Sequence, residues 1–209
     1  MRSQKVFCIG SNKTGTTSIE AALASLGFVV GNQAAGELLI DDWAKRDFRS
    51  IIELGKTADA FQDIPFSLDY TYIALDQAFP HSKFILTLRN NAPEWYSSLT
   101  CFHTQLVGKN RLPTAEDLKE FSYRKVGLLW QSHTLIYGCN ESNVYDRELY
   151  IRHYESHRDG VIDYFRYRPE DLLVLNLCDA DAMDRLCDFL GVERNGCTMP
   201  HLNASRPAA

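Results

Sequence analysis

The segment from Val6 to Leu26 constrains this chain more than any other. Val6-Phe7-Cys8-Ile9 is an unbroken apolar run of the kind that forms a strand buried on both faces. It leads directly into Gly10-Ser11-Asn12-Lys13-Thr14-Gly15. Beyond that loop, Ile19, Ala22, Leu23 and Leu26 recur at the i, i+3, i+4, i+7 spacing of one helix face, and Gly27 stands where a helix C-terminal glycine belongs. Strand, glycine-bounded loop and helix in that order predict a parallel α/β sheet. The loop between them is a place where backbone N–H groups and the helix dipole converge on a phosphate.

The rest of the chain continues the alternation. Phe28-Val29-Val30 reads as the start of a second strand, and residues 35–56 read as helical, with Leu38, Leu39, Trp43 and Phe48 as apolar contacts. Residues 58–62 form a short strand pattern stopped by Asp63-Ile64-Pro65, and Leu68, Tyr72, Leu75 and Phe79 repeat at helical spacing. Lys83–Leu88 is the clearest strand, apolar nearly throughout. It runs into Arg89-Asn90-Asn91-Ala92-Pro93, where an asparagine suits a helix cap and a proline the first helical turn. Trp95, Leu99, Phe102 and Leu106 carry that helix onward. Residues 114–167 are helical, interrupted at 138–143, and their many tyrosines suit helix packing. Leu172–Leu175 is the last strand, and Met183, Leu186, Cys187 and Leu190 mark the last helix. The pattern predicts an α/β, three-layer fold with a central, mainly parallel sheet flanked by helices. The expectation is a single domain over residues 1–209, with a helical elaboration at about 100–167.

Charge narrows the function classes. Lys and Arg number 22 against 27 Asp and Glu, a net charge of −5, which disfavours whole-surface attraction to nucleic acid or anionic lipid. Neither a nucleic-acid nor a membrane partner is expected, although a local basic pocket for a small anion is compatible with that balance. The six cysteines (Cys8, Cys101, Cys139, Cys178, Cys187 and Cys197) contain no CxxC pair, so a zinc ribbon is not expected. The apolar run after Arg2 and Lys5 ends at Gly10, short of a signal sequence, and no window approaches a membrane span. A reducing cytoplasm is the expected location. His153-x-Glu155-x-His157 places two histidines on one helix face as a conceivable metal pair. No third ligand stands out by spacing, so lining of an acceptor site or helix-surface polarity is the preferred reading.

Gly10-x-x-x-x-Gly15-Thr16-Thr17 has the spacing of a nucleotide triphosphatase loop, but Thr16 stands where that loop requires lysine, and the lysine is inside, at Lys13. Lys13-Thr14-Gly15-Thr16-Thr17-Ser18 resembles instead the phosphosulfate loop of sulfotransferases that use 3′-phosphoadenosine 5′-phosphosulfate (PAPS). A second stretch is similar to the same family: a strand ending in Arg89-Asn90, with Ser97 eight residues after the arginine on the following helix. The segment from Asp171 to Val192 followed by Met199-Pro200-His201-Leu202-Asn203 resembles the end of a bacterial-type subgroup. The resemblance implies a P-loop-type fold. It also implies Lys13 at the phosphosulfate bridge, Lys13, Thr14, Gly15, Thr16, Thr17 and Ser18 around the 5′-phosphate, Arg89 and Ser97 at the 3′-phosphate, and no metal requirement. Gln62-Asp63-Ile64-Pro65 occupies the place of the family's catalytic-base motif. Asp63 then has two readings, the base that takes the acceptor's proton or a residue that stabilises the turn at Pro65.

Some family features are absent. Ser18 stands where the cytosolic members have a tryptophan against adenine, Phe61 and Gln62 replace a lysine near the base, and the C-terminal Arg-Lys-Gly segment is missing. Basic residues at 166, 168 and 194 are candidates to replace it. The sequence thus points to sulfuryl transfer from PAPS to a hydroxyl or amine of an acceptor, a small molecule or a carbohydrate. The alternatives are a P-loop kinase or nucleotide hydrolase, and a catalytically silent nucleotide-binding protein of the same fold.

Overall fold

Val6, Phe7 and Cys8 are completely buried, which requires neighbours on both edges and both faces. In the computed structural model, which describes residues 4–200 and 202, they form β1 (Val6–Cys8), paired in parallel with β2 (Ala60–Phe61) on one side and β3 (Lys83–Thr87) on the other. β4 (Leu172–Leu175) pairs in parallel with β3, giving the order β2-β1-β3-β4. The helices, in chain order, are α1 (Thr16–Ser25), α2 (Gln33–Glu37), α3 (Ile40–Ala44), α4 (Arg49–Gly55) and α5 (Thr71–Ala78). They continue with α6 (Ala92–Val107), α7 (Ala115–Glu120), α8 (Leu128–Tyr137), α9 (Arg147–Phe165) and α10 (Ala182–Leu190).

Alternation of side chains along each strand builds three layers. Val6, Cys8, Ile85, Leu173 and Leu175 face a cluster that includes Ile19, Ala22 and Leu23 of α1 and Met183, Leu186 and Leu190 of α10. The intervening Phe7 and Phe84 face the other way. Phe7 packs against Phe61, Phe66 and Phe79 at centroid separations of 5.6–6.0 Å, and Phe84 against Phe165 at 4.9 Å. The fold is therefore α/β with an all-parallel central sheet flanked by helices, as the sequence predicts.

Several local expectations need correction. Phe28-Val29-Val30 is not a strand: Val30 makes one isolated parallel bridge to Ala60, and Val29 is half exposed. The helical stretch at 35–56 is broken into α2, α3 and α4, with Arg46 in the left-handed region (φ 59°) between the last two. No described helix is long and apolar enough to cross a membrane.

Two compact units emerge. One comprises the residues up to Arg89 together with those from His157 onward, and contains the whole sheet; the other is Asn90–Ser156. In the second unit Asn91 caps α6, accepting a hydrogen bond from the Glu94 N–H at 2.8 Å. Tyr137, Tyr145, Tyr150 and Tyr154 of the predicted tyrosine-rich stretch pack inside it, whereas Tyr164 belongs to the first unit, edge-on against Tyr72. Trp95 stacks on Tyr154 with centroids 4.6 Å apart, the Tyr145 hydroxyl meets His103 Nδ1 at 2.9 Å, and His133 Nδ1 meets the Tyr150 hydroxyl. Burial holds the His133 imidazole well below its ordinary pKa, so it sits there neutral.

Gly10 is the residue on which β1 and β3 close. A Cβ there would lie 2.1 Å from Thr87 Oγ1 and 2.5 Å from the Thr87 carbonyl oxygen, both in or next to backbone that cannot yield. Gly10→Ala should therefore lower the unfolding free energy by about 1–3 kcal/mol, measured by chemical denaturation, because the loop must leave β3 to make room.

Candidate active site

In an open parallel sheet, ligands bind outside the carboxyl ends of the strands, where the chain's direction of travel across the sheet reverses. Here that place is the end of β1, since the next strand lies on one side of it and β3 on the other. The loop after β1, the Gln62-Asp63 segment after β2 and Arg89 after β3 all arise at this edge.

The loop is held from behind. The Thr14 hydroxyl donates to the Ser11 carbonyl at 2.6 Å and lies 2.6 Å from Thr87 Oγ1, so Thr87 is the donor in that second bond. Lys13 adopts the left-handed region (φ 70°) and Gly15 does likewise (φ 101°), a conformation costly for lysine and free for glycine. Arg89 Nε donates to the Lys13 carbonyl oxygen at 2.8 Å, tying the arginine of the second motif to the lysine of the first. The side chains predicted to surround a phosphate do not all face the same way. Thr14 bonds within the loop, Thr16 donates to Asp63 Oδ2 at 3.4 Å, and Ser18 Oγ accepts from the Leu202 N–H at 3.0 Å. Thr17 is the exposed one of the four hydroxyl residues from Thr14 to Ser18. At the start of α1 the Gly15, Thr16 and Thr17 N–H groups have no intrahelical acceptor, so backbone rather than hydroxyls dominates this cradle. Ser97 lies on α6, exposed, in the second unit.

Asp63 is 8% exposed and also left-handed (φ 65°). Its two oxygens have separate partners. Oδ1 accepts from its neighbour's Ile64 N–H at 2.8 Å, which is the turn-stabilising contact; Oδ2 faces Thr16 and Gln33, at 3.4 and 3.2 Å. Burial, assisted by the charge of Glu37, pushes the Asp63 carboxyl up to about 6. The Ile64 N–H, the Thr16 hydroxyl and the Lys13 ammonium pull in the opposite direction without cancelling that shift. Sequence reasoning missed the polar side chains around it: Gln33 and Glu37 on α2, Glu20 on α1 and Gln62. One signal was present, since Gln33 and Glu37 stand four apart just after Asn32, which caps α2 by accepting from the Ala35 N–H at 3.1 Å.

His157 is neither a surface residue nor an available metal ligand. It is buried on α9, its Nδ1 2.7 Å from Asp69 Oδ1 and its Nε2 2.8 Å from the Ile9 carbonyl oxygen, so both ring nitrogens are taken in fixing the end of β1. His153 packs edge-on against the Tyr137 ring. Among the described residues, no group of three His, Cys, Asp or Glu is arranged to hold a metal ion. The candidate basic residues are also committed elsewhere. Arg168 pairs with Asp76 at 2.8 Å and Arg166 with Asp163 at 2.8 Å, both before β4 and so away from the carboxyl edge, and Arg194 pairs with Asp184 at 2.7 Å. Of the C-terminal motif, His201 and Asn203 lie outside the described residues.

A family model described as a sulfotransferase domain matches residues 5–207. The chain belongs to that family. No curated protein matches it. Membership supports a transferase of the sulfuryl group.

The Asp63 carboxyl carries a pH signature. A group whose folded-state pKa lies above its unfolded value stabilises the fold fully below the unfolded pKa and loses that contribution as pH rises through the folded one. For Asp63 the window runs from about 4 to about 6. Wild-type protein should lose on the order of 2–3 kcal/mol from this group between pH 4 and 7.5. Asp63→Asn should not, and denaturation curves of the two proteins at both pH values measure the difference.

Proposed function

We propose that this protein transfers the sulfuryl group of PAPS to a hydroxyl or amine of a small-molecule or carbohydrate acceptor. The observation that carries the reading is the Thr16–Asp63 contact, which joins the first residue after the glycine loop to a buried carboxyl whose pKa is about 6. The loop fits a phosphate: there is no room for a Cβ at Gly10, Gly15 is left-handed, and two cationic side chains, Lys13 and Arg89, belong to the same loop-and-strand-end assembly.

PAPS, when bound, supplies a sulfuryl group already activated on a phosphate leaving group. The Gly15, Thr16 and Thr17 amides hold the 5′-phosphate at the start of α1, with Thr14 and Ser18 shaping the loop around them. Lys13 places positive charge at the bridging oxygen, where negative charge develops as the S–O bond breaks. Arg89 offers a charge-assisted fork to the 3′-phosphate, and the motif gives Ser97 the second donor to it. Asp63 takes the proton from the acceptor at Oδ2 while the new S–O or S–N bond forms, and the leaving phosphate keeps the electron pair. A carboxyl titrating near 6 is ionised at neutral pH, yet is a better proton acceptor than an ordinary aspartate. Three carboxyl groups in this neighbourhood, those of Glu20, Glu37 and Asp63, disfavour an anionic acceptor.

Calorimetric titration with 3′-phosphoadenosine 5′-phosphate (PAP), run beside magnesium ATP, tests the nucleotide assignment. The expected result is metal-independent binding of PAP, weakened at least about tenfold in Arg89→Ala. Lys13→Ala and Asp63→Asn should each slow release of PAP from PAPS by about 10²–10³, with Asp63→Asn still binding PAP. Binding of magnesium ATP alone would overturn the reading in favour of a kinase. Unchanged turnover in Asp63→Asn would remove the base.

A further inference from the structure

Five polar side chains beside the loop form one chain of hydrogen bonds. Gln62 Nε2 donates to Glu20 Oε2 at 3.0 Å and to Gln33 Oε1 at 2.8 Å. Gln33 Nε2 donates in turn to Glu37 Oε1 at 2.9 Å and to Asp63 Oδ2 at 3.2 Å. Carboxylates at both ends fix the orientation of both amides, because turning either one round would set an amide oxygen against a carboxylate oxygen. Every N–H of the two amides is therefore committed. Gln62 Oε1, on a residue only 4% exposed, has no partner among the described residues. One NH₂ group, that of Gln33, bridges both buried carboxyls, Glu37 and Asp63, which are 7% and 8% exposed.

A side chain that merely packed α2 against the sheet would not need this arrangement. Burying Glu37 beside Asp63 is unfavourable when both are ionised, and a leucine or methionine would fill the volume at lower cost. We infer that Gln33 and Glu37 are positioning residues for Asp63: Gln33 orients Oδ2, and the negative charge of Glu37 sets the pH at which that oxygen takes a proton. The inference rests on the reading of Asp63 as the base. The groups facing Asp63 are few enough to assign directions. Glu37 on α2 raises its proton affinity; Lys13 in the loop and Thr16 on α1 lower it. Among the described residues, Glu20 connects to Asp63 through Gln62 and Gln33. Cys8 on β1 is a buried thiol pushed up to about 12, and therefore uncharged. Removing the Glu37 charge should make Asp63 more acidic. Removing the Gln33 donor should make it less acidic, because the ionised form loses a hydrogen bond. A purely structural role would not give shifts of opposite sign.

The experiment is a carboxyl ¹³C NMR titration of aspartate-labelled protein with PAP present, the Asp63 signal being assigned by its absence in Asp63→Asn. Glu37→Gln should lower the Asp63 midpoint by about 0.5–1 pH unit and Gln33→Met should raise it by a similar amount, both variants giving folded spectra. Midpoints unchanged in both variants, or moved in the same direction, would overturn the inference. Release of PAP from PAPS, with water as the acceptor, tests the underlying reading separately. If Asp63→Asn keeps wild-type release, the base assignment fails and the inference falls with it, whatever the titration shows. If Asp63→Asn loses release while the Glu37→Gln midpoint stays put, the base stands and this inference alone is wrong.

Discussion

The closing of β1 on β3 at Gly10 is the constraint from which the loop geometry follows. With no side chain at Gly10, the backbone after β1 lies directly on Thr87. That proximity lets Thr87 bond the Thr14 hydroxyl and brings Arg89, two residues further along, within reach of the Lys13 carbonyl. A residue of any size at position 10 would separate three contacts at once. The left-handed backbone at Lys13 and Gly15 is then a consequence. The chain must turn from a strand already pinned to its neighbour into a helix whose first N–H groups point back over the sheet edge. His157 reinforces the same place from α9, by holding the Ile9 carbonyl just ahead of the loop.

The elements set by strong periodicity were legible in the sequence, and those set by tertiary closure were not. β1, β3, β4, α1 and α10 follow from apolar runs and helix-face spacing, because each buries a whole face and the sequence records it. Phe28-Val29-Val30 has the composition of a strand but becomes a single bridge, since Gly31 lies against the Phe61 ring and a Cβ there would meet the ring at 2.0 Å. Local composition cannot register that contact with a residue thirty positions away. The same holds for the site. Lys13, Arg89 and Asp63 stand out as candidates because they sit in or beside recognisable loops at strand ends. Gln33 and Glu37 belong to a five-residue helix too short to show a periodicity, and Glu20 and Gln62, forty-two positions apart, join them only through the fold. Likewise His157 shares its helix spacing with His153, and only the fold shows that Asp69 and Ile9 claim both its nitrogens.

The polar region around Asp63 runs against stability. A well-optimised core would not place two carboxyls at less than a tenth exposure with one shared amide between them and an amide oxygen without a partner among the described residues. The aromatic layer across the sheet, from Phe61 and Phe66 through Phe7 to Phe84 and Phe165, supplies the apolar burial that lets unfavourable groups persist at one edge. Strain and burial cost coincide at Asp63, which is buried, left-handed and raised in pKa together. Such coincidence is expected where function rather than stability selects the residue.

The location of the lysine decides what the loop can do. A lysine following the second glycine would rise from the first turn of α1, on the axis of the helix dipole. Lys13 instead rises from the left-handed residue before Thr14, and its own carbonyl is held by Arg89. The guanidinium is therefore tied, by a 2.8 Å bond, to the backbone that carries the ammonium. Thr16, in the position a triphosphatase would give to lysine, turns its hydroxyl to Asp63. One substitution of residue type thus has two consequences: positive charge moves from the helix axis to the loop, and the vacated position joins the glycine loop to a carboxyl. Under the proposed function, charge stabilisation by Lys13 and proton removal by Asp63 would both arise at this one short segment, as an in-line displacement requires.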